Sequence, residues 1–296
     1  FPKTFVLKWK ENYSMQYSHR SIDVVIPTNR NLNNLSNLIS QILNQKGSFK
    51  ISIFIIDQFK KNNHLNVKLL NSNIKCIKLI KSNLSQAKNL GINSSKSKYL
   101  TFLDDDVLIP NDYFLKSFNF INQNNVDILF NKILNNQKKP LVLSMSNKII
   151  RINKRNWNCC LASSMWLKNT IRQKTIFDEK FGIGSAFGSG EETDFILKSL
   201  IKRKRIYYNG RIYLNHPNDD IHLKLKFIFK KFSSYGNGQG ALLKKFNNKL
   251  GKYIIFFSVS KSFFAILYYL IFFNFSQSTK HLGLMLGKIN GYLKFT

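Results

Sequence analysis

Acidic residues are scarce in this chain: 15 Asp and Glu stand against 46 Lys and Arg in 296 residues, a formal net charge of +31. A balance this basic points to nucleic acid, an anionic membrane surface or a phosphorylated substrate. The lysines are spread along the whole chain and no nucleic-acid motif accompanies them, so no nucleic-acid partner is expected. Compositional drift is the plain alternative, since AT-rich coding would load a chain with Lys, Asn, Ile and Phe as this one is loaded. Cysteine is almost missing. Cys76, Cys159 and Cys160 are odd in number and lack metal-ligand spacing, which argues against a disulfide framework and predicts a reducing compartment. Neither a Gly-x-Gly-x-x-Gly nor a Walker-type loop occurs, so dinucleotide and ATP-loop readings lose ground. The sequence opens on Phe1 rather than Met, and no segment of positive, then apolar, then small residues leads it, so no signal peptide is expected. Hydrophobic residues, in contrast, make up 44%, too many for a disordered chain. The length suits one large domain or two small ones.

The first hundred residues alternate strand and helix signals. Ile22 to Ile26 predicts a strand, ended by the loop Pro27-Thr28-Asn29-Arg30. Leu32, Leu35, Leu38, Ile39, Ile42 and Leu43 then recur at helical spacing up to Gly47. Ile51 to Ile56 predicts a second strand ending at Asp57, and Ile74 to Ile80 a third. A helix through Ala87 and Leu90 precedes Tyr99 to Leu103, a short apolar run that reads as a buried strand. Such alternation implies an α/β fold with a mostly parallel sheet and crossover helices. Pro27, Thr28, Arg30, Asp57 and Asp104-Asp105-Asp106 then share one edge of that sheet, where open α/β sheets bind their ligands and a nucleotide could lie. Three adjacent carboxylates repel one another, and the cost falls when a cation joins them. Hard oxygen ligands suit Mg²⁺ or Mn²⁺. A solvated acidic turn is the plain alternative.

The order of these pieces resembles the family-two glycosyltransferases, whose GT-A fold is a nucleotide-binding α/β sheet. Val24 to Arg30 is similar to the family's opening strand and Pro-Thr-x-Asn-Arg loop, one residue shorter. Asp57 falls where members carry an Asp closing the second strand. Ser85-Gln-Ala-Lys-Asn-Leu-Gly91 looks like the Ser-x-Ala-Arg-Asn-x-Gly helix, with Lys88 in place of Arg. Lys still meets a phosphate as a point charge but loses the bidentate fork. Asp104-Asp105-Asp106 aligns with the metal-binding (DXD) triplet, the last Asp being the usual direct ligand. Phe177-Asp-Glu and the run Gly184 to Asp194 resemble the Phe-Asp-Glu and Gly-Glu-Asp-x-Asp elements, the second opening the helix that bears the catalytic base. His216, ending a strand in Ile212 to Pro217, stands where many members carry a metal-facing His. Taken alone, the acids at 191 and 192 read first as helix capping, with Ser189 or Thr193 as N-cap, and a lone His is more often structural. The resemblance covers roughly residues 21 to 217.

It implies a metal-dependent inverting glycosyltransferase of the EC 2.4 class. Mn²⁺ or Mg²⁺, held by Asp106 with Asp104 and His216, would neutralise a departing nucleotide diphosphate. Glu192 would take the acceptor's proton, with Glu191 as alternate, and a single base without a covalent nucleophile implies inversion. Pro27, Thr28, Arg30, Asp57, Lys88, Asp104 and Asp105 would hold the donor. Ser163, Ser164 and Trp166 fit either an acceptor side or a core strand. Three stretches are expected: an extension over 1–20, a GT-A domain over 21–220, and a hydrophobic helical region over 221–296. In the last, Ile221 to Phe232 is basic and aromatic, Ser233 to Gly240 is a Gly-rich break, and Tyr253 to Phe273 is long enough to span a bilayer. Lys261 lies near the middle of that run, and Ser258, Lys261, Ser262, Ala265 and Tyr269 form one weaker face, so an in-plane or re-entrant helix on an anionic membrane is expected, a buried packing helix being the alternative. Leu282 to Leu293 reads as one more short helix. The expected partners are a nucleotide-sugar donor and a glycan or lipid-linked acceptor, at the cytoplasmic face of a membrane, for cell-surface polysaccharide. The rivals are a nucleotidyltransferase, which should show a Gly-rich basic loop after the first strand, and a non-catalytic polyanion- or membrane-binding protein with a decayed site.

Overall fold

The computed structural model describes residues 20–29, 33–59, 73–142, 144–172, 177–217, 224–246 and 254–296. Arg30 and Leu32 lie outside them. Two compact units divide the chain. Phe1–Ser82, Ala87–Ile176 and Ser199–Pro217 form the first; Asn83–Gln86, Phe177–Lys198 and Asn218–Thr296 form the second.

An eight-stranded sheet organises the first unit. Its strands are β1 (Ser21–Thr28), β2 (Lys50–Asp57), β3 (Ile74–Lys78), β4 (Tyr99–Phe102), β5 (Ile128–Leu134), β6 (Ile149–Arg151), β7 (Met165–Lys168) and β8 (Ile206–Asn215), in the order β3-β2-β1-β4-β7-β5-β8-β6. β1, β2, β3 and β4 are parallel, as are β5 and β8, while β7 and the edge strand β6 run antiparallel to their neighbours. Helices α1 (Asn33–Leu43), α2 (Leu84–Ser94), α3 (Tyr113–Gln123) and the single turn α4 (Asn169–Arg172) join the strands. β1 reads as an apolar run broken only by Asp23 because it is covered on both faces: Ile22, Val24, Val25 and Ile26 are fully buried. Gly91 explains the close seating of α2 on it, since a Cβ there would fall 2.3 Å from Val25 Cγ1. Of the two readings of 163–166, the core prevails. Trp166 is fully buried and meets the ring of Phe114 edge-on at 5.2 Å, and Ser164 Oγ donates to the Asn131 carbonyl at 2.9 Å. Asp23 is structural as well, its carboxylate accepting from Ser95, Lys96 and Ser97 and tying down the turn before β4.

Helix α5 (Glu191–Ile201) begins in the second unit, which also holds α6 (Leu225–Lys245), α7 (Ile254–Ile271) and α8 (Phe275–Lys294). The Gly-rich break expected over 233–240 is instead the middle of α6. Glycine there removes side chains rather than helical order. A Cβ on Gly236 would stand 2.5 Å from the Leu284 carbonyl oxygen, and one on Gly240 2.0 Å from that of Lys288. Gly287 and Gly291 of α8 answer from the other side, with hypothetical Cβ atoms 2.2 and 2.0 Å from the Ser233 and Asn237 oxygens. Gly238 lies on the opposite face of α6, as a two-residue step of about 200° requires, and there it admits the backbone of Ser189. α8 is also longer than its expected core of 282–293, opening at an Asn274 cap whose side chain accepts from the Gln277 amide at 3.1 Å. Among the described residues, no helix is long and apolar enough to cross a membrane.

Candidate active site

In the first unit, the carboxyl ends of the parallel strands bring most of the expected residues together. Thr28 and Asp57 are register partners at the ends of β1 and β2. β4 stops at Phe102, Leu103 donates its amide to the Val25 carbonyl, and the chain turns through Asp104, Asp105 and Asp106. Thr28 Oγ1 donates to Asp105 Oδ2, which fixes the middle carboxylate, 8% exposed, against the Pro27-Thr28 corner. Beyond the triplet, Leu108 and Asn215 exchange two backbone hydrogen bonds of 2.8 Å. That small antiparallel bridge carries the residue after β8, His216, to the triplet: its Nε2 lies 3.4 Å from Asp104 Oδ2 and 3.4 Å from Asp106 Oδ1. The side chain of Asp106 is 6% exposed and that of Asp104 40%.

Burial works against a charge on His216, but the hydrogen bond and charge of Asp104, then the charge of Asp106 and the Pro217 carbonyl, outweigh it and raise its pKa to about 9. Nδ1 is 2.8 Å from that carbonyl oxygen. Among the described residues, no group of three or more His, Cys, Asp and Glu is drawn in tightly enough to hold a metal ion as it stands. The donor set nevertheless suits one. Two carboxylates and an imidazole are ligands for Mn²⁺ or Mg²⁺-like ions, and the Nδ1 contact leaves Nε2 turned to the carboxylates. Donors about 2.1 Å from one ion and at right angles lie about 3 Å apart, close to the 3.4 Å seen here.

Asp57 has company that sequence reasoning missed. Its Oδ2 accepts from Lys78 Nζ at 2.8 Å and its Oδ1 from the Phe59 amide at 2.8 Å. The signal was available in the register, because Asp57 and Lys78 pair directly once β2 and β3 are aligned. Lys88 on α2 is buried, 2% exposed.

The second unit holds the expected base. The run leading to α5 carries positive φ at Gly182, Gly184, Gly188 and Gly190, a path only glycine takes without strain. Ser85 Oγ donates to the Phe181 carbonyl at 2.7 Å and helps shape this loop. Glu191 opens α5 and is 5% exposed, its carboxyl 3.4 Å from where a Cβ on Gly182 would be; Glu192 is half-buried. Three acids in the first turn complement the positive end of the helix. The third, Asp194, is fully buried and paired with Lys198 Nζ and Lys245 Nζ, each at 2.6 Å. Lys245 also reaches Asp178 Oδ2 at 2.5 Å, and Phe177 stacks on Phe195 at 4.9 Å. Desolvation opposes it, but the hydrogen bond from Lys245 holds the Asp178 carboxyl below the usual range. The Phe-Asp-Glu element thus serves to fasten the loop to α5 and α6. Lys245 has no local motif, being 51 positions from Asp194. Beside the loop, a hollow of about 290 Å³ is lined by Ser185, Gly188, Lys230, Ser233, Ser234 and Asn237.

Residues 23–185, more than half of the chain, match the family model of Glycosyl transferase family 2. No curated protein matches in sequence. Among solved structures, the crystal structure of S. aureus TarS superimposes with a TM-score of 0.60 at 13% identity, covering 91% of this chain and 55% of that one. TarS 1-349 in complex with UDP gives 0.57 at 12% identity, and in complex with UDP-GlcNAc 0.58 at 12%, each covering 91% of this chain and 90% of the other. At this identity the likeness is one of fold: a GT-A sheet with its flanking helices.

Proposed function

Since the chain belongs to glycosyltransferase family 2, we propose that it moves a sugar, with inversion, from a nucleotide-diphosphate donor to a hydroxyl of a glycan or lipid-linked acceptor in cell-surface polysaccharide synthesis. The observation that carries this reading is the meeting of Asp104, Asp106 and His216 at the carboxyl edge of the sheet. UDP-sugars are the first donors to test, because TarS has been solved with UDP and with UDP-GlcNAc.

In this account Asp104, Asp106 and His216 hold Mn²⁺ or Mg²⁺, which supplies the positive charge a departing diphosphate needs. Pro27, Thr28 and Asp57 border the nucleoside end, Asp105 braces that corner through Thr28, and Lys88 and Arg30 add charge toward the phosphates. Glu192 takes the acceptor proton. We prefer it to Glu191 because Glu191 is the more deeply buried of the two and its carboxyl is packed beside the Gly182 turn. The hydroxyl-rich hollow next to that turn suits a polar part of the acceptor. Three free cysteines and the nucleotide-sugar supply favour the cytoplasmic face of a membrane.

Glu192→Gln tests the assignment. Turnover of UDP-sugar should fall by about 10²–10⁴-fold, the usual worth of a general base, while UDP binding stays within about twofold of the unsubstituted protein. Undiminished turnover would remove Glu192 from the chemistry.

A further inference from the structure

Helix α7 is turned the wrong way round for a helix in water. Its small and polar stripe faces the protein. Ser262 is 3% exposed, Lys288 of α8 donates to Ser262 Oγ at 2.8 Å and to the Ser258 carbonyl at 3.0 Å, and Tyr269 stacks on His281 at 5.5 Å. The large apolar side chains point outward instead. Phe256 is 68% exposed, Phe264 66%, Ile271 72% and Phe273, in the turn to α8, 80%. Phe256, Phe264 and Ile271 fall within one face about 80° wide at 3.6 residues per turn, and Phe273 follows in the turn beyond the helix. Soluble proteins rarely leave an apolar patch this continuous uncovered.

Charge says what covers it. From Ile221 to Thr296 the sequence has twelve lysines and no Asp, Glu or Arg. Lys224, Lys226, Lys230, Lys244 and Lys294 are exposed in the same unit, and Lys261 is exposed on α7 itself. Lys261 and Tyr268, one heptad apart, run along one margin of the aromatic face, where an ammonium and a phenol would reach the polar layer. A second copy of this chain would set one all-lysine region against another, so the charge argues against self-association. Anionic headgroups carry the opposite sign, and acyl chains accept the rings.

We propose that the outward face of α7 and the turn through Phe273 seat this unit on an anionic lipid bilayer, with α7 lying in the plane of the surface. The aromatic rings enter the boundary between headgroups and acyl chains, and the surrounding lysines hold the unit to the negative surface. Ser258, Ser262 and Lys288 keep the polar stripe turned away from lipid. None of Asp104, Asp106, His216, Glu191 and Glu192 takes part in this contact.

Vesicle flotation tests it. The 296-residue chain should float with vesicles of phosphatidylglycerol and phosphatidylcholine, and far less with phosphatidylcholine alone or at high salt. The pair Phe264→Ser and Phe273→Ser should weaken flotation more than about tenfold, two buried rings being removed, while circular dichroism and thermal midpoint stay unchanged. Phe264→Trp should shift its emission to the blue on vesicles and be quenched by lipids brominated near the headgroup. Failure to float with either vesicle would overturn the proposal, as would flotation indifferent to the double substitution. Quenching only by bromines at the bilayer centre would contradict the in-plane placement. A dimer by light scattering that the double substitution dissolves, in protein that ignores vesicles, would assign the face to a second copy.

Discussion

The proton on His216 is held by two carboxylates, and that fixes how the site should respond to pH. Its folded pKa, about 9, lies above the ordinary value of 6.5. The stabilisation is therefore complete below pH about 6.5 and is lost as pH rises through about 9. His216→Ala should lower folding stability at pH 6 by about 1–2 kcal/mol after allowance for partial solvent screening, read as a clear fall in thermal midpoint, and hardly at all at pH 10. Equal losses at both pH values would contradict the pairing. Because an imidazole binds a metal only when deprotonated, Mn²⁺ should displace this proton and bind more tightly as pH rises toward 9. Much at this scale was legible beforehand. The positions of Asp104, Asp106 and His216 follow from strand ends, which an apolar run cut short by acids or by Asn-His-Pro marks in any sequence. Lys245 and Lys78 were not legible as partners, because a long-range ion pair leaves no spacing to read until the elements carrying it are aligned.

Helix α6 shows how packing overrules propensity. Glycine in a helix interior is less favourable than Ala by about 1 kcal/mol, so three within five residues read as a break; the structure carries the helix straight through them. What the sequence did contain was a second set, Gly283, Gly287 and Gly291, at helical spacing of four in α8, and two such sets predict two backbones in close contact. Gly287→Ala and Gly240→Ala should each destabilise the second unit by about 1–3 kcal/mol, since a Cβ has no room and the helices must separate. Gln239→Ala, at an exposed position between the two faces, should leave the urea midpoint within error. If both glycine variants kept the parent midpoint, the tight crossing would be wrong. The strands of the first unit were read more easily because β1, β2 and β4 are buried apolar runs bounded by turn residues, a local signal. β5 to β8 carry the antiparallel insertion of β7, and its place between β4 and β5 depends on pairings that no local pattern announces.

At the scale of the whole molecule, the catalytic reading rests on order. The Pro-Thr corner, Asp57, the helix through Lys88, the acidic triplet, the Gly-rich loop with its glutamates and His216 come in the order that the resemblance implies, and residues 23–185 match that family's model. The strongly basic composition adds little to it, since lysine spread along a chain selects for an anionic partner without saying which one. The nucleotide site is where the account is most exposed to test. Purified protein should be heated with UDP, GDP, dTDP or CDP, each with and without Mn²⁺, beside the Asp106→Asn variant. UDP with Mn²⁺, at 100 times its dissociation constant, should stabilise the protein by about 2.7 kcal/mol; UDP without the metal should do much less, and Asp106→Asn should abolish the difference. A well-folded protein whose midpoint no nucleotide moves, with or without Mn²⁺, would contradict the claim that this is a metal-dependent sugar transferase.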